Sequence, residues 1–178
     1  LFTQSLENWN SSKPLVYEPF AYESLKTANE MIFGSAVLPS YDLNQADLLL
    51  SFGADFLETW LSPVQYSSQF KQMHAVNNNK KGIFIHISAV QNLTGVNADK
   101  WLSCRPGSEA TVALGLVKQA LDIGKGKRLP RSFRNELFRA VRGYTQERVL
   151  RDSGIGQALY EDLVLQIMGA RRPLVLGP

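Results

Sequence analysis

Three turns in the sequence carry the residues that could bind a ligand, and each follows a short apolar run. They extend from Phe52 to Thr59, from Ser88 to Gln91 and from Arg105 to Glu109. The third turn places the backbone N–H groups of residues 107–110 at the start of a helix, where the helix dipole favours an anion. Ligands of open α/β sheets bind beyond the carboxyl ends of the strands. We therefore predict that the three turns form one crevice for an anionic ligand.

The histidines and the cysteine show no catalytic or metal-binding spacing. His86 alternates with Phe84 and Ser88 on one face of a predicted strand, which predicts a packed, hydrogen-bonded residue. His74 is predicted on the surface of a helix. Cys104 is predicted to be a small core residue, and a single cysteine excludes an intrachain disulfide or a cysteine cluster for zinc or iron–sulfur.

A basic segment runs from Lys125 to Arg151, with nine Lys or Arg residues against two glutamates. Phe138 shares a helical stripe with Leu137 and Val141 and is predicted to lie in the core. The segment is interpreted as a solvated helical surface or as a docking surface for an acidic partner, in preference to a nucleic-acid site.

The elements that must position these turns alternate between strands and helices. Ser62, Pro63 and Gln65 predict a capping box at a helix that extends to Val76, with Val64, Phe70 and Met73 on its apolar face. The stretch from Ala89 to Lys100 is predicted to be loop. The predicted strands are Leu15–Tyr17, Leu48–Phe52, Ile83–Ser88, Trp101–Arg105 and Leu174–Leu176. The other predicted helices are Tyr22–Phe33, which stops at Gly34, then Ser108–Ile123, in which Ser108 is the N-cap, Ser132–Arg142, Gln146–Arg151 and Ile155–Ala170.

This alternation predicts one α/β domain over residues 1–178, a three-layer, Rossmann-like fold with a mainly parallel sheet and helices on both faces. Hydrophobic residues make up 44% of the chain, enough for a proper core, and the net charge of +3 is mild. No apolar run approaches the ~20 residues of a membrane span. Because the chain starts with Leu1 and ends in "PLVLGP", we expect it to be a fragment of a longer protein.

Three sequence stretches contain the three turns and follow one another in a recognisable order: "ADLLLSFGAD", "IHISAVQNLTGVNADKWL" and "CRPGSEATVAL". In this order the chain resembles the molybdopterin oxidoreductases, the molybdenum or tungsten bis-pterin enzymes related to dimethyl sulfoxide reductase, formate dehydrogenase and nitrate reductase. The third stretch is the most specific. The resemblance spans about Tyr41 to Ile123, and the terminal "RRPLVLG" is also in keeping with it.

The resemblance implies that the three turns hold a molybdopterin guanine dinucleotide, with the first turn near its phosphates and the others around its guanosine end. Glu109 keeps the acid that accepts hydrogen bonds from guanine in the family. The implied cofactor-binding residues are Phe52, Gly53, Ala54, Asp55, Phe56 and Glu58 in the first turn, Ser88, Ala89, Val90 and Gln91 in the second, and Gly107, Ser108 and Glu109 in the third.

Two turns depart from the family pattern. Asp55 stands where the family commonly has asparagine, and a carboxylate beside a pyrophosphate is repulsive. Ser88, Ala89 and Val90 replace an acid, a proline and an arginine. The stretch "GADFLETWLSP" is most similar to its counterpart in one subgroup of the family, which is linked to quinol-dependent respiratory complexes. In that subgroup the subunit has lost its metal cofactor and acts as a scaffold.

The resemblance implies a parent oxidoreductase that carries out electron or oxygen-atom transfer. It also implies iron–sulfur or membrane subunits as partners, beside the rest of the parent chain, and a periplasmic or membrane-associated parent. We expect the isolated fragment to lack catalysis, a metal ligand and a bound cofactor.

The alternatives are a cofactor-free scaffold subunit, the nucleotide-binding central domain of a thiamine-diphosphate enzyme, and a basic docking module. The thiamine-diphosphate alternative explains the strand that ends in Gly53, but it does not explain the stretch "CRPGSEA".

Overall fold

A computed structural model describes residues 8–9, 22–76 and 81–177. The predicted strand Leu15–Tyr17 lies outside these residues. The chain divides into two compact units, Leu1–Ser40 and Tyr41–Pro178. In the described part of the first unit, helix α1 (Glu23–Phe33) ends at Gly34, whose left-handed backbone places its N–H on the carbonyl of Glu30. This confirms the predicted helix and its glycine stop.

The second unit is built on four strands: β1 (Leu48–Phe52), β2 (Ile83–Ser88), β3 (Lys100–Ser103) and β4 (Pro173–Leu176). All neighbouring pairs are parallel, and the order is β3-β2-β1-β4. The chain thus steps outward from β1 to β3 and then returns to the far side of β1. The predicted α/β fold with a parallel sheet is confirmed, and the strand order reverses between β1 and β4.

Helices cover the sheet. They are a 3₁₀ helix (Leu43–Gln45), α2 (Pro63–His74), α3 (Leu93–Val96), α4 (Glu109–Asp122), α5 (Arg131–Val141), α6 (Gln146–Ser153) and α7 (Gln157–Gly169). Helix α3 corrects the predicted loop, because the side chain of Asn92 accepts the N–H of Gly95 and caps a single turn. Pro63 does begin α2, but Ser62 makes no side-chain cap, so the predicted capping box is absent.

Each face of the sheet has its own core. On one face, Leu50 and Ile87 pack in a buried cluster with Leu116, Val149 and Leu163, which lie on α4, α6 and α7. On the other face, the rings of Phe56, Phe70 and Phe84 meet edge to face, with centroids 5.3–5.7 Å apart. The sheet therefore lies between two helical layers.

Two side chains differ from their predicted positions, and a third makes contacts that were not predicted. Val64 is 85% exposed, because the buried side of α2 carries Tyr66, Phe70 and Met73. His74 lies half-exposed at the end of α2, where its Nε2 lies 2.9 Å from Oδ2 of Asp99 and its ring stacks on Phe70. Phe138 is partly exposed, because Val141 is the residue of α5 that is buried.

Candidate functional site

A crevice lies at the carboxyl edge of the sheet, where the strand order reverses between β1 and β4. Its volume is about 590 Å³. The lining residues come from the exits of β1 and β4 and from the start of α4, and they are Phe52, Gly53, Gly107, Glu109, Ala110, Ala113, Val175, Leu176 and Gly177. Ligands of open α/β sheets bind at such a reversal point, because the connections on the two sides diverge and leave a gap there.

Two glycines form the floor of the crevice. Gly53 and Gly107 have φ values of 72° and 78°, in the left-handed region that side chains rarely adopt. No other atom lies within 4 Å of the position that a Cβ would take at either residue. The N–H of Gly53 donates to the carbonyl of Ile87 at 2.9 Å, which extends the β1–β2 pairing into the turn. The backbone at both glycines thus leaves open space where a side chain would lie.

The third turn presents Glu109 at the first position of α4, half-buried and lining the crevice. Ser108 occupies the N-cap position, but its hydroxyl donates to the carbonyl of Arg105 at 2.6 Å rather than capping the helix. The Arg105 guanidinium donates to the carbonyl of Arg151 at the end of α6, and the Arg105 N–H donates to Ser153 at 2.8 Å. These bonds hold the turn in place.

The first turn divides its side chains between the core and the surface. Ala54 and Phe56 are fully buried, whereas Glu58 is exposed. The Asp55 carboxylate accepts the hydroxyl of Thr59 at 2.6 Å. Of the predicted residues in this turn, the structure places Phe52 and Gly53 in the crevice lining.

The second turn is closed on itself. The Ser88 hydroxyl donates to the carbonyl of Val90 at 2.8 Å and accepts the indole N–H of Trp101 at 3.1 Å. Ala89 is half-buried, while Val90 and Gln91 are exposed. Among the described residues, none of this turn lines the crevice. The structure therefore brings together the first and third turns and leaves the second beside them.

The third contributor to the crevice, the exit of β4, was not among the predicted site residues. Its residues Val175, Leu176 and Gly177 line the crevice together with the exit of β1 and the start of α4. A glycine directly after an apolar strand was visible in "PLVLGP". The sequence does not say which strand flanks β1, so the position of this glycine could not be assigned.

His86 has no exposed surface, and neither ring nitrogen has a hydrogen-bond partner among the described residues. The packed position was predicted correctly, but the predicted hydrogen bond is absent. Burial lowers the pKa of His86 to about 4, against the opposing effect of the Asp55 charge. His86 is therefore neutral at pH 7. Cys104 is buried as predicted, and burial raises the pKa of its thiol.

Asp47 and Asp99, each preceded by an alanine in the first and second family stretches ("AD"), stabilise the fold at the opposite edge of the sheet. The Asp47 carboxylate accepts the N–H groups of Arg171 and Arg172, each at 2.9 Å, and so joins the start of β4 to β1. Asp99 accepts the N–H of Phe84 at 2.8 Å. Burial acts to raise the pKa of Asp99, but hydrogen bonds from Lys81, from this N–H and from His74 outweigh it and hold the pKa below its usual range.

We expect Asp47→Ala to lower the free energy of unfolding by about 2 kcal/mol, because two N–H groups lose a charged acceptor. Asp122→Ala is the matched control, since that carboxylate forms an i,i+4 pair with Lys118 on α4 and is expected to cost about 0.5 kcal/mol or less. Urea denaturation at neutral pH measures both. Equal losses would contradict the anchoring role of Asp47.

No protein-family model matches the chain. The chain is 29% identical over 137 residues to the menaquinone reductase, molybdopterin-binding-like subunit, of Nitratidesulfovibrio vulgaris strain Hildenborough. This match covers 76% of the chain and 19% of the relative. The chain therefore spans about a fifth of the length of this curated relative.

The structure is similar to that of acetylene hydratase from Pelobacter acetylenicus, with a TM-score of 0.58 and 18% sequence identity. That match covers 75% of the chain and 18% of the hydratase. It shows a shared fold. Within the described residues, no group of His, Cys, Asp and Glu is placed to hold a metal ion, and no helix is long and apolar enough to cross a membrane.

Proposed function

We propose that this chain, which its sequence and fold matches support as a fragment of the molybdopterin oxidoreductase family, is the dinucleotide-binding-type domain of its parent. The observation that carries the proposal is the crevice between β1 and β4. Its floor consists of Gly53 and Gly107, and Glu109 lies at its side. In the parent, we propose, this domain binds and orients a molybdopterin guanine dinucleotide.

The residues present fit such a group in two of the three turns. The open backbone at Gly53 and Gly107 allows close approach of a phosphate or ribose, and the start of α4 favours negative charge. Glu109 is an acceptor for the N–H donors of a guanine-type base. When bound, the cofactor supplies electron or oxygen-atom transfer, while the residues of this chain bind and orient it.

A second candidate function is a scaffold that no longer holds the cofactor. The closed second turn favours it, because the hydroxyl of Ser88 already donates to Val90 and accepts from Trp101. Asp55 adds a carboxylate near the first turn. In either case we propose that the parent belongs to a redox complex, in keeping with the name of the menaquinone reductase relative. The family resemblance adds the proposal that its partners are iron–sulfur or membrane subunits.

Titration of the chain with GDP and with ADP tests the binding function. We expect GDP to bind at least about tenfold more tightly than ADP, a difference of about 1.4 kcal/mol, because Glu109 accepts hydrogen bonds that adenine cannot donate in the same way. Glu109→Gln should remove the preference. Glu136→Gln is the matched control, since that carboxylate is exposed and outside the crevice lining. Calorimetry or amide chemical shifts measure the affinities.

Three other outcomes have distinct meanings. Preference for ADP would support the thiamine-diphosphate-type alternative. Absence of binding by either nucleotide would support the scaffold. A GDP preference that survives Glu109→Gln would contradict the assigned role of this acid. Denaturing the full-length parent from its host and assaying released pterin by fluorescence then decides whether the cofactor is held: stoichiometric pterin excludes the scaffold, and its absence supports it.

A further inference from the structure

A basic surface lies outside the crevice lining, on α5 and the turn that precedes it. We call it the basic face, and it consists of Lys127, Arg128, Arg131, Arg134, Arg139 and Arg142. None of these cations forms an ion pair with an acid among the described residues. By contrast, Lys118 pairs with Asp122, and Arg148 pairs with Asp152. The charge of the basic face is therefore uncompensated within the described part of the chain.

The cations of α5 are concentrated on its outward side. At 3.6 residues per turn, Arg131, Arg139 and Arg142 fall within about 80° of one another. All three are exposed, while Val141 is buried and α5 packs on α4. Phe133 and Phe138 on the same helix are 39% and 38% exposed. Phe138 falls about 20° from Arg131, whereas Phe133 falls on the opposite side of the helix. The outward surface thus combines exposed arginines with one partly uncovered aromatic ring.

We propose that the basic face is a docking surface for a partner protein that presents a cluster of carboxylates bordered by apolar side chains. Arginine and aromatic residues are enriched in protein–protein interfaces, whereas lysine is depleted, and the basic face has five arginines and one lysine. The planar guanidinium matches a carboxylate through two parallel hydrogen bonds. Charge complementarity therefore selects an acidic surface.

Two other anionic partners fit the geometry less well. A helix that lies in a membrane interface turns its apolar face outward, but the outward side of α5 is charged and its Val141 is buried against the domain. A phosphate backbone would be repelled by Glu136, which is exposed on the same helix and forms no ion pair among the described residues. The carboxylates of an acidic protein lie at discrete positions, whereas the phosphates of a nucleic acid form a continuous chain. An acidic protein can therefore avoid Glu136.

The test is a binding assay with the full 178-residue chain. The probe is a fluorescein-labelled peptide rich in Glu and Leu, and a peptide with Gln in place of Glu is its control. Anionic phosphatidylglycerol vesicles and duplex DNA serve as the competing anions. Anisotropy and co-sedimentation give affinities at low and high salt. We expect the Glu peptide to bind most tightly and its affinity to fall as salt rises.

The double variant R131E/R139E is expected to weaken peptide binding by at least about tenfold. K71E/R171E, which makes the same change in net charge at two exposed cations outside the basic face, should weaken it by less than about twofold. F138S should weaken binding without changing its salt dependence. Circular dichroism shows whether each variant is folded. Equal losses in the two charge-reversal variants, or tighter binding of vesicles or DNA than of the peptide, would overturn the proposal.

Discussion

Replacing Phe56 by alanine is expected to lower the free energy of unfolding by about 3–5 kcal/mol. The ring of Phe56 is fully buried and meets Phe84 and Phe70 at centroid distances of 5.3 and 5.7 Å. Alanine would leave a cavity among these rings and remove their edge-to-face contacts. Urea denaturation followed by circular dichroism measures the loss.

Glu58→Ala is the matched control, two residues further along the same turn. Glu58 is exposed, so its removal is expected to change the free energy of unfolding by about 0.5 kcal/mol or less. A small cost at Phe56 would mean that its ring leaves the core and is available to a ligand, as the family resemblance implied. Comparable costs at both positions would likewise contradict the division of this turn into a buried and a surface half.

As the pH is lowered from 7.5, the titration of His86 is expected to destabilise the protein before the carboxylates become protonated. The folded pKa is about 4 and the ordinary value is 6.5, so both states are neutral above about pH 6.5 and His86 has no effect there. Below that pH the unfolded chain binds a proton that the folded protein does not. The free energy of unfolding should therefore fall by about 2–3 kcal/mol between pH 7.5 and pH 4.5.

His86→Leu removes this titration and should flatten the pH dependence over the same range, whatever its stability at pH 7.5. The carboxylates act at lower pH, because the pKa values of Asp99, Asp152 and Asp162 lie below the ordinary value of 3.8. Their stabilisation is present above that value and is lost as the pH falls through the folded pKa. Urea denaturation at several pH values separates the two ranges. An unchanged slope in His86→Leu would assign the acid sensitivity to another group.

Most of the fold could be predicted because apolar residues recur at regular intervals along the strands and the longer helices. The run Leu48–Phe52 is buried on both faces, and Ile85 and Ile87 lie together in one core, as alternation along a strand requires. Gly34 ended its helix where a left-handed residue was needed. Helix α3 was missed because one turn capped by the Asn92 side chain has no period to detect.

The site was less predictable, because a turn can be located from sequence more easily than its side chains can be oriented. Phe56 and Glu58 lie in one short turn, yet one is in the core and the other in solvent. Ser88 was an implied cofactor-binding residue, but its hydroxyl bonds to Val90 and Trp101. These outcomes depend on tertiary neighbours that no local pattern encodes.

The family pattern also mixes residues with different purposes. Asp47 and Asp99 are conspicuous in the "AD" stretches but bind backbone N–H groups at the amino edge of the sheet. Gly53, Gly107 and Glu109 are the part of the pattern that lines the crevice. A match to the whole pattern therefore indicates the fold, and the roles of the crevice residues must be tested separately.

The pairing of β4 with β1 has a consequence for how the protein reaches this structure. Arg172 follows Asp47 by 125 residues, and their contact closes a loop that includes β2, β3 and helices α2 to α7. Contacts of such high sequence separation form slowly, since the loop entropy must be lost before any contact compensates for it. The parallel unit of β1, α2 and β2 can assemble without this closure, whereas the crevice, which β4 helps to line, cannot. The crevice is thus expected to form late in folding, and truncation before β4 is expected to remove part of its lining while leaving most of the sheet able to form.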